Sequence, residues 1–268
     1  MYINVNVSEE FYNVYVNEII NGHKKTICFL HGWLLNSSTF DNVIDCLKDK
    51  YNIIAIDLPG FGKSDDLKRA FSLKDYAYVL ESILKYYYDK LMIDSIYLLG
   101  HSFGGRVLIK YLNIFDNQFI KGLILCDSAG IRKKSFKRAF LIYKYKLKKR
   151  VFKAFSYLSN SYKTKYNLLI KNSGSEDYKR VNDQLKGTMS LALTEDLFLL
   201  LRNIKVKTIV AWGENDDITP LKDAYLMKKE LISSKLILFE NSEHFPYISE
   251  EEKFVRVVNY ALSDYFNS

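Results

Sequence analysis

The sequence is poor in the residues that break or staple a chain. It has 3 prolines, 12 glycines and 3 cysteines in 268 residues, which excludes a collagen-like repeat, a Pro/Gly low-complexity tract and a miniature disulfide scaffold. Cys28, Cys46 and Cys126 are odd in number and form no paired motif. They read as buried filler in apolar runs, in a protein kept in a reducing compartment. No apolar stretch reaches the roughly 18 residues that a membrane-spanning helix needs. The opening MYINVNVSEEFYNVYVNEII has acids and asparagines where a signal peptide needs a basic start and an unbroken apolar core. A cytoplasmic location is expected. HExxH and closely spaced CxxC or HxH sets are also missing, and GFGKS (60–64) is too short for the full phosphate-loop pattern. No metal and no organic cofactor are therefore expected.

What is present is the balance of a compact globule, with 48% hydrophobic and 26% charged residues. The net charge of +8 is local. Residues 131–153, IRKKSFKRAFLIYKYKLKKRVFK, carry 11 Lys or Arg and no acid, leaving 28 bases against 31 acids elsewhere. Without a recognised nucleic-acid module beside it, this stretch does not point to nucleic acid. A solvated face, a membrane-surface contact and an acidic carrier bearing the substrate stay open as its use.

Residues 2–7 and 11–20 alternate polar and apolar, so the chain opens with an antiparallel β segment, and Asn21-Gly22 has the residues of a tight hairpin turn. Short apolar runs follow: 26–30, 51–57, 94–99, 122–127, 207–212 and 235–240. Continuous runs of this kind suit strands of a parallel sheet covered on both faces. Between them the spacing predicts helices near 39–48, 73–90, 103–115, 221–232 and 250–266, long enough for crossovers. About 80 residues separate the runs at 122–127 and 207–212. An insertion is expected there, with the basic stretch, an aromatic stretch and a helix over 184–201.

The chemistry centres on Gly100-His101-Ser102-Phe103-Gly104-Gly105, directly after one strand and directly before a helix. In a G-x-S-x-G turn the glycines leave room for a sharp bend that holds the serine hydroxyl up at the sheet edge. The helix N-terminus behind it offers unpaired N–H groups. Serine needs a base, itself oriented by a third group. Of the four histidines, His23 lies beside the first turn, His31 opens the loop after the first central strand, and His101 sits inside the elbow. His244, after the last strand, is the candidate base. WGENDDITP (212–220) supplies Glu214, Asp216 and Asp217 as possible orienting acids, with Asp216 preferred. The backbone N–H groups of Trp33, after Gly32, and Phe103, after the serine, are candidate donors to a developing oxyanion.

These segments, HGW (31–33), DLPGFGKSD (57–65), GHSFGG (100–105), WGENDDITP (212–220) and EHF (243–245), resemble the α/β-hydrolase superfamily from about residue 25 to the C-terminus. In overall pattern the chain is similar to uncharacterised bacterial serine hydrolases of that superfamily with a cap domain. The resemblance implies an α/β-hydrolase fold, with a mostly parallel eight-stranded sheet flanked by helices and a helical cap inserted after the sixth strand. It implies a core of 1–130 and 203–268 and a cap, or lid, of 131–202. It maps the triad onto Ser102, Asp216 and His244, and the oxyanion donors onto Trp33 and Phe103. Asp57 and residues 60–64 map onto a structural loop, and Asp217 departs from the proline that many members carry.

The activity expected is that of a carboxylesterase cleaving a small-molecule ester of a small or medium acyl group through an acyl-enzyme. A C–C bond hydrolase of a dione uses the same triad, as would a hydrolase of an acyl group on a carrier; a binding protein that keeps the fold is the non-enzymatic alternative. Aromatic residues of the cap, among them Phe136, Phe140, Tyr143 and Phe155, can line an apolar pocket or pack the cap onto the body.

Overall fold

The computed structural model describes residues 1–93, 95–132 and 181–267. The chain divides into two compact units, Met1–Ile131 with Asp183–Ser268, and Arg132–Asn182. Residues 133–180 lie outside the described residues, and with them the cap aromatics and nearly all of the basic stretch.

The first unit is built on one eight-stranded sheet. Its strands are β1 (Tyr2–Val7), β2 (Glu10–Ile19), β3 (Thr26–Leu30), β4 (Asn52–Ile56), β5 (Ile96–His101), β6 (Ile120–Cys126), β7 (Thr208–Gly213) and β8 (Ser234–Phe239). Their order is β1-β2-β4-β3-β5-β6-β7-β8. β1 and β2 pair antiparallel, as do β2 and β4, and every later neighbour is parallel. Burial follows the patterning. β3, β4, β5 and β7 are buried at every residue, as strands covered on both faces must be. β1 alternates, with Ile3, Val5 and Val7 inward.

The first hairpin is not where the sequence signal puts it. Its two-residue turn is Ser8-Glu9, at φ +54° and +69°, which joins β1 to β2. Asn21-Gly22 leads from β2 to β3, but β4 lies between those strands. Gly22 does take φ +76°, so the residue type reported the local backbone correctly and said nothing about which strands pair.

Helices α1 (Asp41–Leu47), α2 (Leu73–Leu91), α3 (Phe103–Ile114), α4 (Asp183–Thr194), α5 (Leu221–Glu230) and α6 (Glu251–Ser263) flank the sheet. Ser72 and Asp75 start α2 with a reciprocal capping box, and Met92 closes it in the left-handed conformation. In α1, Val43, Ile44 and Leu47 face inward. Cys46 falls on the opposite face and is exposed, unlike buried Cys28 and Cys126, which corrects the reading of all three as buried. The stretch 183–203 packs on the body: the Phe71 N–H donates to Thr188 Oγ1 at 2.8 Å, and Arg106 donates to the Glu195 carbonyl at 2.9 Å. Among the described residues, no helix is long and apolar enough to cross a membrane.

The elbow helix α3 lies directly against β3. A Cβ on Gly104 would sit 2.2 Å from the Leu30 carbonyl oxygen, and backbone cannot yield as a side-chain tip can. Gly104→Ala should therefore cost about 3 kcal/mol or more and lower Tm by about 6 °C or more. A thermal melt matching the native protein would mean that α3 can move off β3.

Candidate active site

β3 pairs with β4 on one side and β5 on the other. The strand order therefore reverses at the carboxyl ends of β3 and β5, the place where open α/β sheets leave a crevice. Leu30 is in register with Gly100, so the loop beginning His31-Gly32-Trp33 and the elbow Ser102-Phe103 leave the sheet side by side. Because β3 and β5 to β8 are parallel, the residues just past β6, β7 and β8 emerge on the same edge.

Ser102 is held at φ +50°, ψ −109°, a conformation that costs a non-glycine residue about 1–3 kcal/mol. Its N–H donates to the Cys126 carbonyl and its carbonyl accepts from Ala129, both at 3.0 Å, so β6 and the loop after it pin the bend. Ser102 occupies the N-cap position of α3, yet its side chain makes no capping bond. Its hydroxyl has no hydrogen-bond partner among the described residues.

The oxyanion candidates follow from peptide planarity. His31 donates from Nδ1 to the Gly32 carbonyl at 2.7 Å and accepts the Leu58 N–H at Nε2 at 3.0 Å. Burial lowers the pKa of His31 to about 4, so it stays neutral in that tautomer. The Gly32 carbonyl also accepts from Leu35. In a trans peptide the N–H points opposite to the C=O, so the Trp33 N–H is turned away from these partners. Neither it nor the Phe103 N–H has a backbone partner among the described residues. The rings of Trp33 and Phe103 meet edge to face at 5.3 Å, and Phe61 packs on Trp33 at 5.0 Å. Asp57 holds the neighbouring loops, accepting from the Ser37 N–H at 2.6 Å and the Lys63 N–H at 2.8 Å, the structural use that the sequence implied.

Asp216 and His244 are brought together directly. His244 Nδ1 lies 2.7 Å from Asp216 Oδ2, and both side chains are buried. Asp216 Oδ1 accepts the backbone N–H groups of Ile218 (2.7 Å) and Thr219 (2.9 Å), and the Thr219 hydroxyl donates to Oδ2 at 2.6 Å. Burial by itself would raise the pKa of Asp216, but the hydrogen bonds from His244 and Thr219 outweigh it and hold the pKa at about 2. Glu214 and Asp217 are exposed. The β7 and β8 loops can meet because position 213 has no side chain: a Cβ there would lie 1.9 Å from the Glu243 carbonyl oxygen.

Ser102 is linked to this pair through its neighbour. His101 donates from Nε2 to the His244 carbonyl at 2.9 Å, and the two imidazoles are 4.8 Å apart. Burial first, and the nearby His244 second, lower the pKa of His101 to about 3, so it is a neutral strut. His101 and His31 are the supports that sequence reasoning missed. Their sole signal was adjacency to the elbow and to Gly32, which gives no hint of a partner 143 residues away.

A further buried carboxyl stands here. Asp127, just past β6, accepts the Gly213 N–H at 2.9 Å. Burial, followed by the nearby Asp216, raises its pKa to about 9. Asp127, Asp216 and His244 each bring one potential ligand atom within 4.8 Å of the others. Asp216 and His244 bind each other and Asp127 accepts from Gly213, so the three side chains belong to one hydrogen-bonded network.

The family model for the alpha/beta hydrolase fold matches residues 25–251. The chain belongs to the alpha/beta hydrolase fold family. It is 28% identical to the AB hydrolase superfamily protein YisY of Bacillus subtilis, over 97% of this chain and 98% of that one. It is 27% identical to a pimeloyl-[acyl-carrier protein] methyl ester esterase of Legionella pneumophila, over 89% of this chain and 95% of that one. Among solved structures, the esterase EaEST of Exiguobacterium antarcticum superposes with a TM-score of 0.72 at 23% identity, each chain covered completely.

In this alpha/beta hydrolase the protonated Asp127 has a thermodynamic consequence. The folded protein keeps a proton that the unfolded chain releases above about pH 4. The contribution of this group to stability therefore falls as pH rises from about 4 toward about 9. Asp127→Asn, neutral throughout, should melt higher than the native protein by about 4 °C or more near pH 8, with the gain shrinking toward pH 4. A difference that does not change with pH would mean that Asp127 is ionised in the folded state.

Proposed function

We propose that the protein is a serine hydrolase, a carboxylesterase acting on esters of small or medium acyl groups, with Ser102, His244 and Asp216 as its triad. The observation that carries this reading is the buried 2.7 Å pair of His244 and Asp216 on the sheet edge where Ser102 is held in a strained turn, its hydroxyl making no capping bond. Similarity to esterases supports it as well.

With the Nδ1 proton directed at Asp216, Nε2 of His244 is the basic nitrogen. It takes the Ser102 proton as Oγ attacks the ester carbonyl, and Asp216 stabilises the imidazolium that results. The backbone N–H groups of Trp33 and Phe103 receive the tetrahedral oxyanion, one such donor being worth about 3 kcal/mol in another hydrolase. His244 then returns the proton to the leaving alcohol. Water repeats the sequence on the acyl-enzyme and releases the acid. Asp216 serves throughout as an anion, its pKa held at about 2 by the hydrogen bonds from His244 and Thr219.

A second reading concerns the substrate. The 11 bases and absent acids of residues 131–153 suit an acyl group presented on an acidic carrier protein, and the Legionella relative is by name an esterase of a carrier-bound acyl chain. A higher kcat/KM for a carrier-bound methyl ester than for the same free ester, lost at high salt, would establish it.

Hydrolysis of p-nitrophenyl butyrate tests the triad. Ser102→Ala should abolish turnover, Asp216→Asn should lower kcat by about 10³ to 10⁴, and Asp217→Asn should stay within about twofold of native. Native turnover in Ser102→Ala would sink the reading. A large loss in Asp217→Asn alone would move the acid by one residue.

A further inference from the structure

Asp127 is bound into the acid loop from both of its ends. Its N–H donates to the Ala211 carbonyl at 3.0 Å, its Oδ1 receives the Gly213 N–H, and its own carbonyl lies 3.1 Å from the Thr219 hydroxyl that also serves Asp216. It adopts φ +42°, a left-handed conformation that aspartate takes more readily than most residues with a side chain. The residue is fully buried, and one of its oxygens lies within 4.8 Å of both an Asp216 oxygen and a ring nitrogen of His244.

The titratable groups around it, among the described residues, are few. Cys126 on its own strand donates its thiol to Oδ2 at 3.4 Å. Asp216 faces it from the β7 loop and His244 from the β8 loop. Tyr247, in the short helix Pro246–Ser249, lies near enough to couple electrostatically to Asp127, and His101, neutral, stands behind His244. Among the described residues, no lysine or arginine belongs to this set.

We propose that Asp127 is a reserve acid for His244, a positioning residue that braces the Asp216 loop in the native protein and replaces Asp216 beside the imidazole when Asp216 loses its charge. The inference rests on the triad reading given above. Two buried carboxyls this close to one imidazole cannot both ionise. Asp216 takes the charge because it receives four hydrogen bonds, and Asp127 keeps the proton. Neutralising Asp216 removes the repulsion between them. Asp127 then ionises as pH rises, and a change of its side-chain torsion closes the remaining distance to the ring.

The test is the rate of Ser102 labelling by a fluorophosphonate, followed by intact-mass spectrometry from about pH 6 to about pH 9.5. This readout needs no knowledge of the natural substrate. Native protein, Asp216→Asn and Asp216→Asn/Asp127→Asn are compared after a melting check. Relative to native, Asp216→Asn should gain about tenfold or more between pH 7 and pH 9, as a carboxyl titrating in that range requires, and the double variant should show no such gain. The double variant separates this rise from one caused by hydroxide itself. If it does not fold, Asp127→Ser in the same background takes its place, the hydroxyl keeping an acceptor near the Gly213 N–H. An Asp216→Asn profile parallel to native, or a rise that persists without Asp127, overturns the reserve acid and leaves the triad standing. A native protein that is not labelled at Ser102 overturns the triad reading, and the reserve acid with it.

Discussion

A serine held at positive φ between a buried strand and the helix behind it is the constraint on which the site depends. β5 ends at His101 and α3 begins at Phe103, so one residue makes the whole turn. That geometry is possible only where α3 can approach β3 to backbone contact at Gly104 and where β6 anchors both sides of Ser102. Once the bend exists, the Phe103 N–H at the start of α3 has no backbone partner among the described residues, and the residue before the serine has its ring in the core. His101 uses that inward position to hold the His244 carbonyl. The same turn therefore presents the proposed nucleophile and fixes the loop of its proposed base.

Neutral histidines do much of the positioning. His31 and His101 are both fully buried, both are held neutral by burial, and both grip a backbone carbonyl. An imidazole can do this without introducing a buried charge, and it fixes its own tautomer in the process. The carboxyls divide in a complementary way. Asp216, rich in donors, carries the negative charge, while Asp127, poor in donors and beside it, keeps its proton. Buried acids side by side are tolerable when their hydrogen-bond environments differ this much.

Much of this was legible from residue order. Each of the six apolar runs after the opening hairpin became a strand of the sheet, within about two residues of its ends, because the strands inside a parallel sheet are covered on both faces and are apolar at most positions. The helix starts at Leu73, Phe103 and Leu221 agree with the helical spacing over 73–90, 103–115 and 221–232, and at Phe103 the strand-to-helix turn marks the start as well. Asn-Gly reported a backbone preference and was read as a strand pairing, while Ser8-Glu9 made the hairpin without any favoured residue, under the demand of the β1–β2 register. Cys46 was read by its type, although its place on the outer face of a short helix decided its exposure. The helix at 183–194 was anticipated, but its attachment to the body through Thr188 and Glu195 was not.

The sequence by itself determined the family, the strand and helix frame, and the short list from which Ser102, Asp216 and His244 were drawn, because these follow from local patterning and from residue types that few other chemistries need. It could offer three acids in one loop without separating them by environment. Tertiary structure alone decided that Asp216 is buried against His244 while Glu214 and Asp217 are exposed. It alone set His101 and His31 as struts, and it alone placed Asp127 beside the pair. These outcomes depend on which parallel strand ends adjoin, and so on contacts between residues up to 143 positions apart. Neither local propensity nor spacing along the chain carries that information.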